Sequence, residues 1–186
     1  NRRAFAEHVR GRRVLDAFSG TGGFGLAAVV RGGAEHAVFL DGSPRALERA
    51  HENAVLNRVE GAAELRRDDA FSALRALADG PERFGAVSLD PPRMASSRRG
   101  SEGALRGYLE LNASAIAIVE RGGLLATSSC TGVVSERDFL RVLRDAAIRA
   151  RRRVQVLRVS GQAPDHPWLT AVPEGRYLKH VLARVV

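Results

Sequence analysis

Apolar and polar positions along the 186-residue chain follow two alternating periods. Val14-Leu15, Phe84 to Leu89 and Leu124 to Ser128 read as strands, and the continuous apolar run Ala37-Val38-Phe39-Leu40, ending in Asp41, has the pattern of a strand buried on both faces. Between them lie amphipathic stretches at helical spacing. Asn1 to about Val9 predicts a short helix stopped by Gly11, and Phe24 to Val30 a helix closing at Gly32-Gly33. Ser43 as N-cap and Pro44 at the first helical position open the next, with Leu47, Ala50 and Ala54 facing inward and Gly61 just past its end. Ala62 to Leu65 is a weak strand, and Ala70 to Leu77 a helix with Leu74 and Leu77 on one side. A polar loop from Arg93 to Gly103 precedes a helix from about Leu105 to Glu120, which Gly122-Gly123 is expected to break. Ser135 with Asp138 predicts a capping box ahead of Phe139, Val142, Leu143, Ala146 and Ala147. Val154 to Val159, an irregular Pro-containing loop through Pro173, and Tyr177 to Val186 close the chain.

Strand-helix alternation repeated this often predicts an α/β domain: an open, mostly parallel sheet with helices on both faces. The length suits one domain spanning residues 1–186. In such sheets ligands sit beyond the carboxyl ends of the strands. Asp16, Asp41, Asp90 and Cys130 all fall at those predicted ends.

The run from Val14 to Gly25 reads as a strand that breaks at Asp16 and enters a helix through a glycine-rich bend. Gly20, Gly22 and Gly25 carry the spacing used where a backbone approaches a nucleotide closely, a spacing that also serves a merely close-packed turn. Asp41 lies 21 residues after Gly20, the usual place for an acid that accepts ribose hydroxyls. This suits a nucleoside cofactor without choosing between NAD and S-adenosylmethionine. Asp69 follows the next strand and is placed either to reach an adenine amino group or to cap a helix.

In Asp90-Pro91-Pro92, two prolines hold the chain extended and fix the carboxylate beside the cofactor loop. Amino-group methyltransferases carry a similar segment followed by an aromatic residue; Arg93 in that place argues against methylation of an exocyclic amine. Cys130, between Ser129 and Thr131 and ahead of a helix, is the candidate nucleophile, with a thiol pKa expected to be lowered by nearby amides and the helix dipole. Its alternative is a small apolar filler. Asn112 interrupts the stripe of Leu105, Tyr108, Leu109, Ile116 and Val119, either bonding the Asp90 loop or as a satisfied core amide, the reading we favour. Pro164-Asp165-His166-Pro167 sits in a loop long enough to suggest a role, with His166 a candidate base or a structural corner.

Composition narrows this picture. No run of 18 or more apolar residues suggests a membrane span. A single cysteine rules out an internal disulfide and a Cys₂-type zinc site, so no metal is expected, and it is compatible with the reducing cytoplasm. The formal charge of +8 favours a polyanionic partner such as nucleic acid, although arginine bias also follows from genome composition. Lys179 is the only lysine, and Met94 the only methionine, so Asn1 is not expected to be a natural start. A homodimer is compatible with the sequence, which does not give the oligomeric state.

The segments VLDAFSGTGGFGLAA, FLDGSPRALERAHENAVLN, SLDPPR, LNASAIAIVERGGLLATSSCT and GQAPDHPWL, in this order, resemble the class I S-adenosylmethionine-dependent methyltransferases of the PUA-linked rRNA cytosine-carbon-5 type. The resemblance covers essentially the whole chain. It implies a Rossmann-like fold with an antiparallel last strand, 5-methylcytosine formation in large-subunit rRNA, and upstream PUA and linking domains absent from this sequence. It places Phe18, Gly20 and Gly22 along the methionine part of S-adenosyl-L-methionine, Asp41 on its ribose and Asp69 on its adenine. Asp16, Asp90 and Pro91 complete the expected cofactor set, and Pro92 and Arg93 are expected at the RNA substrate. Cys130 would attack carbon 6 of a flipped cytosine, with Asp90 at the ring nitrogen. Arg93 departs from the family's usual lysine and Ser19-Gly20 from its frequent Ser-Tyr. Three other readings remain open: the same fold acting on another atom or a small molecule with Cys130 structural, an NAD-dependent oxidoreductase, and a non-catalytic RNA-binding module.

Overall fold

The computed structural model describes residues 1–164 and 166–186; Asp165, part of the Pro164 to Pro167 segment singled out above, lies outside the described residues. The elements run α1 (Arg2–Ala6), β1 (Arg13–Ala17), α2 (Gly23–Val30), β2 (His36–Asp41), α3 (Pro44–Leu56), β3 (Ala63–Arg67), α4 (Ala70–Asp79), β4 (Phe84–Leu89), α5 (Ser101–Ile118), β5 (Val119–Ser129), α6 (Glu136–Arg149), β6 (Val154–Ser160) and β7 (Lys179–Val185). The sheet order is β3-β2-β1-β4-β5-β7-β6. Strands β1 to β5 pair in parallel, while β7 runs antiparallel to β5 and β6. The predicted architecture holds, including the antiparallel last strand.

Two apolar layers cover the sheet. Phe5, Phe24 and Leu47 of α1, α2 and α3 pack with Val14 and Phe39 on one face. Leu74, Tyr108 and Phe139 of α4, α5 and α6 pack with Leu15, Val87 and Leu125 on the other. Every residue of β4 is buried, as its unbroken apolar run requires.

Four boundaries differ from the pattern reading. Strand β1 does not break at Asp16 but pairs through Ala17. Helix α1 is one short turn, not a helix to Val9. Helix α5 starts at Ser101 and ends at Ile118, and Gly122-Gly123 lie within β5, where the register with β4 shifts between Phe84 and Ala86. Gly122 has φ +78° there, so the glycines make a strand irregularity instead of a helix stop. The Ser135 hydroxyl accepts the Asp138 N–H at 3.1 Å, but it donates to the Asp138 carboxylate, which does not reach back to the Ser135 N–H, so the cap is one-sided.

Candidate functional site

The turn between β1 and α2 is built on three left-handed residues, Phe18 (φ 59°), Gly20 (φ 53°) and Gly22 (φ 86°). A non-glycine residue in that region stores strain that the surroundings must hold; Phe18 is held edge-on to Phe71, ring centroids 6.1 Å apart. The motif's glycines have separate duties. A Cβ on Gly25 would strike the Phe39 ring, so this glycine lets α2 lie on β2. Gly22 is the N-cap of α2. Around Gly20 nothing stands within 4 Å of a Cβ, so its bare backbone faces open space, as a nucleoside cradle requires.

The acids divide in the same way. Asp41 accepts the Gly20 N–H and the Ser43 N–H, each at 2.9 Å, which pins the end of β2 to the turn and leaves further lone pairs for hydroxyls. Asp16, 1 % exposed, lies beneath the turn and accepts the Gly25 N–H at 2.8 Å. Burial pushes its carboxyl up to about 7, against the pull of that N–H. It braces the turn and offers almost no surface to a ligand. Asp69 caps α4, accepting the Ser72 N–H at 2.9 Å, which holds its carboxyl below the usual range. Asn112 donates to the Tyr108 carbonyl of its own helix at 2.8 Å and does not bond the Asp90 loop, but its buried Oδ1 has no hydrogen-bond partner among the described residues, so the expected core amide is only half satisfied.

Asp90, Pro91 and Cys130 line one cleft of about 820 Å³ together with Arg2, Phe24 and His166. The Cys130 thiol points to the Pro91 carbonyl, 3.8 Å away. The Asp90 N–H reaches the Ala17 carbonyl at 3.4 Å, tying the cleft to the end of β1. Asp90 is exposed at the cleft, yet the groups packed around its carboxyl still desolvate it and raise its pKa, with the Ser128 hydroxyl and Arg2 drawing it back. Pro92 is exposed beside the cleft. Arg93 is exposed too, but its guanidinium folds back on its own loop, donating to the Ala95 carbonyl at 2.9 Å and the Ser96 carbonyl at 3.3 Å.

The Cys130 thiol corrects one expectation. Its pKa is raised, first by burial and then by Asp90, with its own backbone N–H opposing first and Lys179 and Arg93 after it. Helix α6 begins only at Glu136, too far along for its dipole to dominate. Sequence reasoning also missed the residues behind the thiol. The Thr131 hydroxyl pairs with the Tyr108 hydroxyl at 2.8 Å and accepts the Met94 N–H at 3.1 Å. His180 is buried against Phe24 and bonds the Ser128 hydroxyl at 3.0 Å, and burial lowers its pKa to about 4. No spacing flagged these. The sole lysine was a signal for Lys179.

A parallel sheet with an antiparallel β7, a glycine turn opening beyond β1 and an acid at the end of β2 make the fold of the S-adenosylmethionine-dependent methyltransferases. A Streptococcus mutans protein assigned to those enzymes superimposes with a TM-score of 0.84 at 19 % identity, over 98 % of this chain and 47 % of its own. A structure assigned as a methyltransferase and solved with S-adenosylhomocysteine gives 0.84 at 19 % identity, over 98 % and 48 %. The chain belongs to the family described as Conserved hypothetical protein 95, whose profile matches residues 3–138. It is 41 % identical over 185 residues to Ribosomal RNA large subunit methyltransferase I of Aeromonas salmonicida, covering 99 % of this chain and 46 % of that protein. The chain therefore spans about half the length of the curated relatives it matches. Among the described residues, no helix is long and apolar enough to cross a membrane.

Proposed function

We propose that this chain is the S-adenosyl-L-methionine-dependent domain of an rRNA methyltransferase that forms 5-methylcytosine through a covalent Cys130 adduct. The observation that carries the reading is the shared cleft: Asp90 and Cys130 leave neighbouring parallel strands at their carboxyl ends, beside the glycine turn. The similarity to ribosomal RNA large subunit methyltransferase I supports rRNA as substrate.

The cofactor, when bound, supplies an electrophilic methyl group. Gly20 would admit its backbone-facing edge, Asp41 would accept its ribose hydroxyls, and Phe18 and Gly22 would line its amino-acid part. Asp69 is proposed near the adenine through its exposed edge, and the buried Pro91 would close the floor.

On the RNA side, the Cys130 thiolate would add to carbon 6 of a cytosine turned out of its stack, moving electron density to carbon 5. The raised Asp90 carboxyl suits a group that shares a proton with the ring nitrogen and so offsets the charge entering the ring. After methylation a base takes the carbon 5 proton and the sulfur leaves, restoring the double bond. Pro92 and Arg93 would meet neighbouring nucleotides. In the whole protein we propose that an upstream PUA-type domain adds RNA contacts and that the enzyme works in the cytoplasm.

RNA containing 5-fluorocytosine tests the adduct, because fluorine blocks the proton loss that frees the enzyme. A covalent complex that Cys130→Ser abolishes is expected. If Cys130→Ala still makes 5-methylcytosine at the wild-type rate, the covalent reading is wrong. Titration calorimetry with S-adenosylhomocysteine and with NADH decides the cofactor; tight binding of NADH alone would point to an oxidoreductase.

A further inference from the structure

Strand β7 brings to the site a group that the reaction outlined above does not use. Lys179 is the only lysine and is 7 % exposed. A buried ammonium needs compensation, yet among the described residues it has no carboxylate partner. Its Nζ donates to the Thr131 carbonyl at 2.7 Å and to the Tyr177 carbonyl at 2.8 Å. Among the described residues, two carbonyls leave one of its three donors without a partner and the positive charge without a carboxylate. A neutral donor would serve two carbonyls with far less desolvation.

The register explains the placement. Lys179 pairs with Ser129 across β5 and β7, and its Nζ bonds the residue on the far side of Cys130. Thr131 is fully buried and is also held by the Tyr108 hydroxyl and the Met94 N–H. Met94 follows the Asp90 loop, so this residue ties both halves of the cleft wall together.

We propose that Lys179 is the positioning residue of Cys130: it anchors the Cys130 loop through the Thr131 carbonyl and presents its ammonium as the counter-charge of the thiolate. This rests on the reading of Cys130 as the nucleophile. The charged and titratable groups that bear on the thiol are Asp90 and Arg93 from the loop after β4, Tyr108 from α5 and Lys179 from β7, with Arg2, Arg3, His166 and Tyr177 lining the same cleft. Asp90 opposes the thiolate. Arg93 favours it, but is exposed and committed to loop carbonyls, so solvent screens it. Lys179 is the buried cation, and its charge acts through less solvent.

The rate of iodoacetamide alkylation of Cys130, the sole cysteine of the 186-residue chain, reads the thiol across pH without RNA or turnover. Lys179→Met is expected to move the midpoint upward, with about tenfold slower alkylation below it for each unit moved. Lys179→Arg is expected to restore the profile. Coincident profiles for wild type and Lys179→Met would overturn the proposal. If Lys179→Met does not fold, carbon-13 labelling of lysine gives one side-chain resonance in the unaltered chain. That resonance should show an inflection at the Cys130 midpoint, absent in Cys130→Ser; a wild-type titration without it also overturns the proposal. Failure of 5-fluorocytosine trapping alongside a shifted profile would remove the covalent reading and leave the counter-charge standing.

Discussion

Gly20 and Gly25 show how residues of one type in one motif do different work. Alanine at Gly25 has no room against the Phe39 ring and should cost about 1–3 kcal/mol through overpacking. At Gly20 nothing stands within 4 Å, but φ is +53°, so alanine should cost about 1–2 kcal/mol in backbone strain. The distinguishing measurement is S-adenosylhomocysteine affinity beside the melting temperature. Gly20→Ala should lose affinity by at least about tenfold, since ~1.4 kcal/mol of blocked approach gives that factor. Equal affinity in both variants and wild type would exclude Gly20 from the cradle. Asp16 adds a pH signature. Its folded carboxyl is raised by burial to about 7 from an ordinary 3.8. The native state then holds a proton that the unfolded state has released. Its stabilising contribution is full below about pH 4 and is lost as pH rises to about 7, on the order of 4 kcal/mol in all. Wild-type stability measured relative to Asp16→Asn by urea unfolding should fall across that window; a constant difference would refute it.

At the scale of elements, most helices and strands were legible because each has a clean period. The stripe of α6 and the unbroken β4 left little choice. Gly122-Gly123 were misread because glycine punctuates helices and strands alike. What decides is the partner: a Cβ on Gly123 would lie 2.8 Å from the Gly85 carbonyl oxygen and 2.9 Å from that of Glu120. Backbone cannot swing aside, so Gly123→Ala should cost about 1–3 kcal/mol. Calorimetric unfolding checks this, and an unchanged melting temperature would show that β5 relaxes there. The same limit hid the cleft's inner wall. Tyr108 read as one more apolar position of α5, and only its bond to Thr131 makes it part of the site.

The charges of the whole molecule are unevenly committed. Arg13 and Arg66 bond Glu82 at 2.6 and 2.8 Å, and Glu64 adds further pairs. Such paired charges add little to long-range attraction. Arg2 and Arg3 instead line the cleft. On the proposed rRNA reading, RNA affinity should therefore fall with salt, with a log–log slope of about −0.7 for each phosphate neutralised on a single strand. A filter-binding series from low to physiological salt measures it, and a flat response would remove the electrostatic partner inferred from the +8 charge.

The sequence by itself determined the parallel α/β sheet, the glycine turn and the strand-end positions of Asp41, Asp90 and Cys130, because periodicity and backbone chemistry act over a few neighbouring residues. Tertiary structure decided the rest. It turned Asp16 inward, showed that Asp69 does cap a helix, gave the expected antiparallel strand β5 and β6 as its neighbours, and thereby placed Lys179 behind Cys130 across 49 positions of chain. The electrostatics of a thiol depend on which charges share its low-dielectric surroundings. That is a property of spatial neighbours, and no local spacing encodes it.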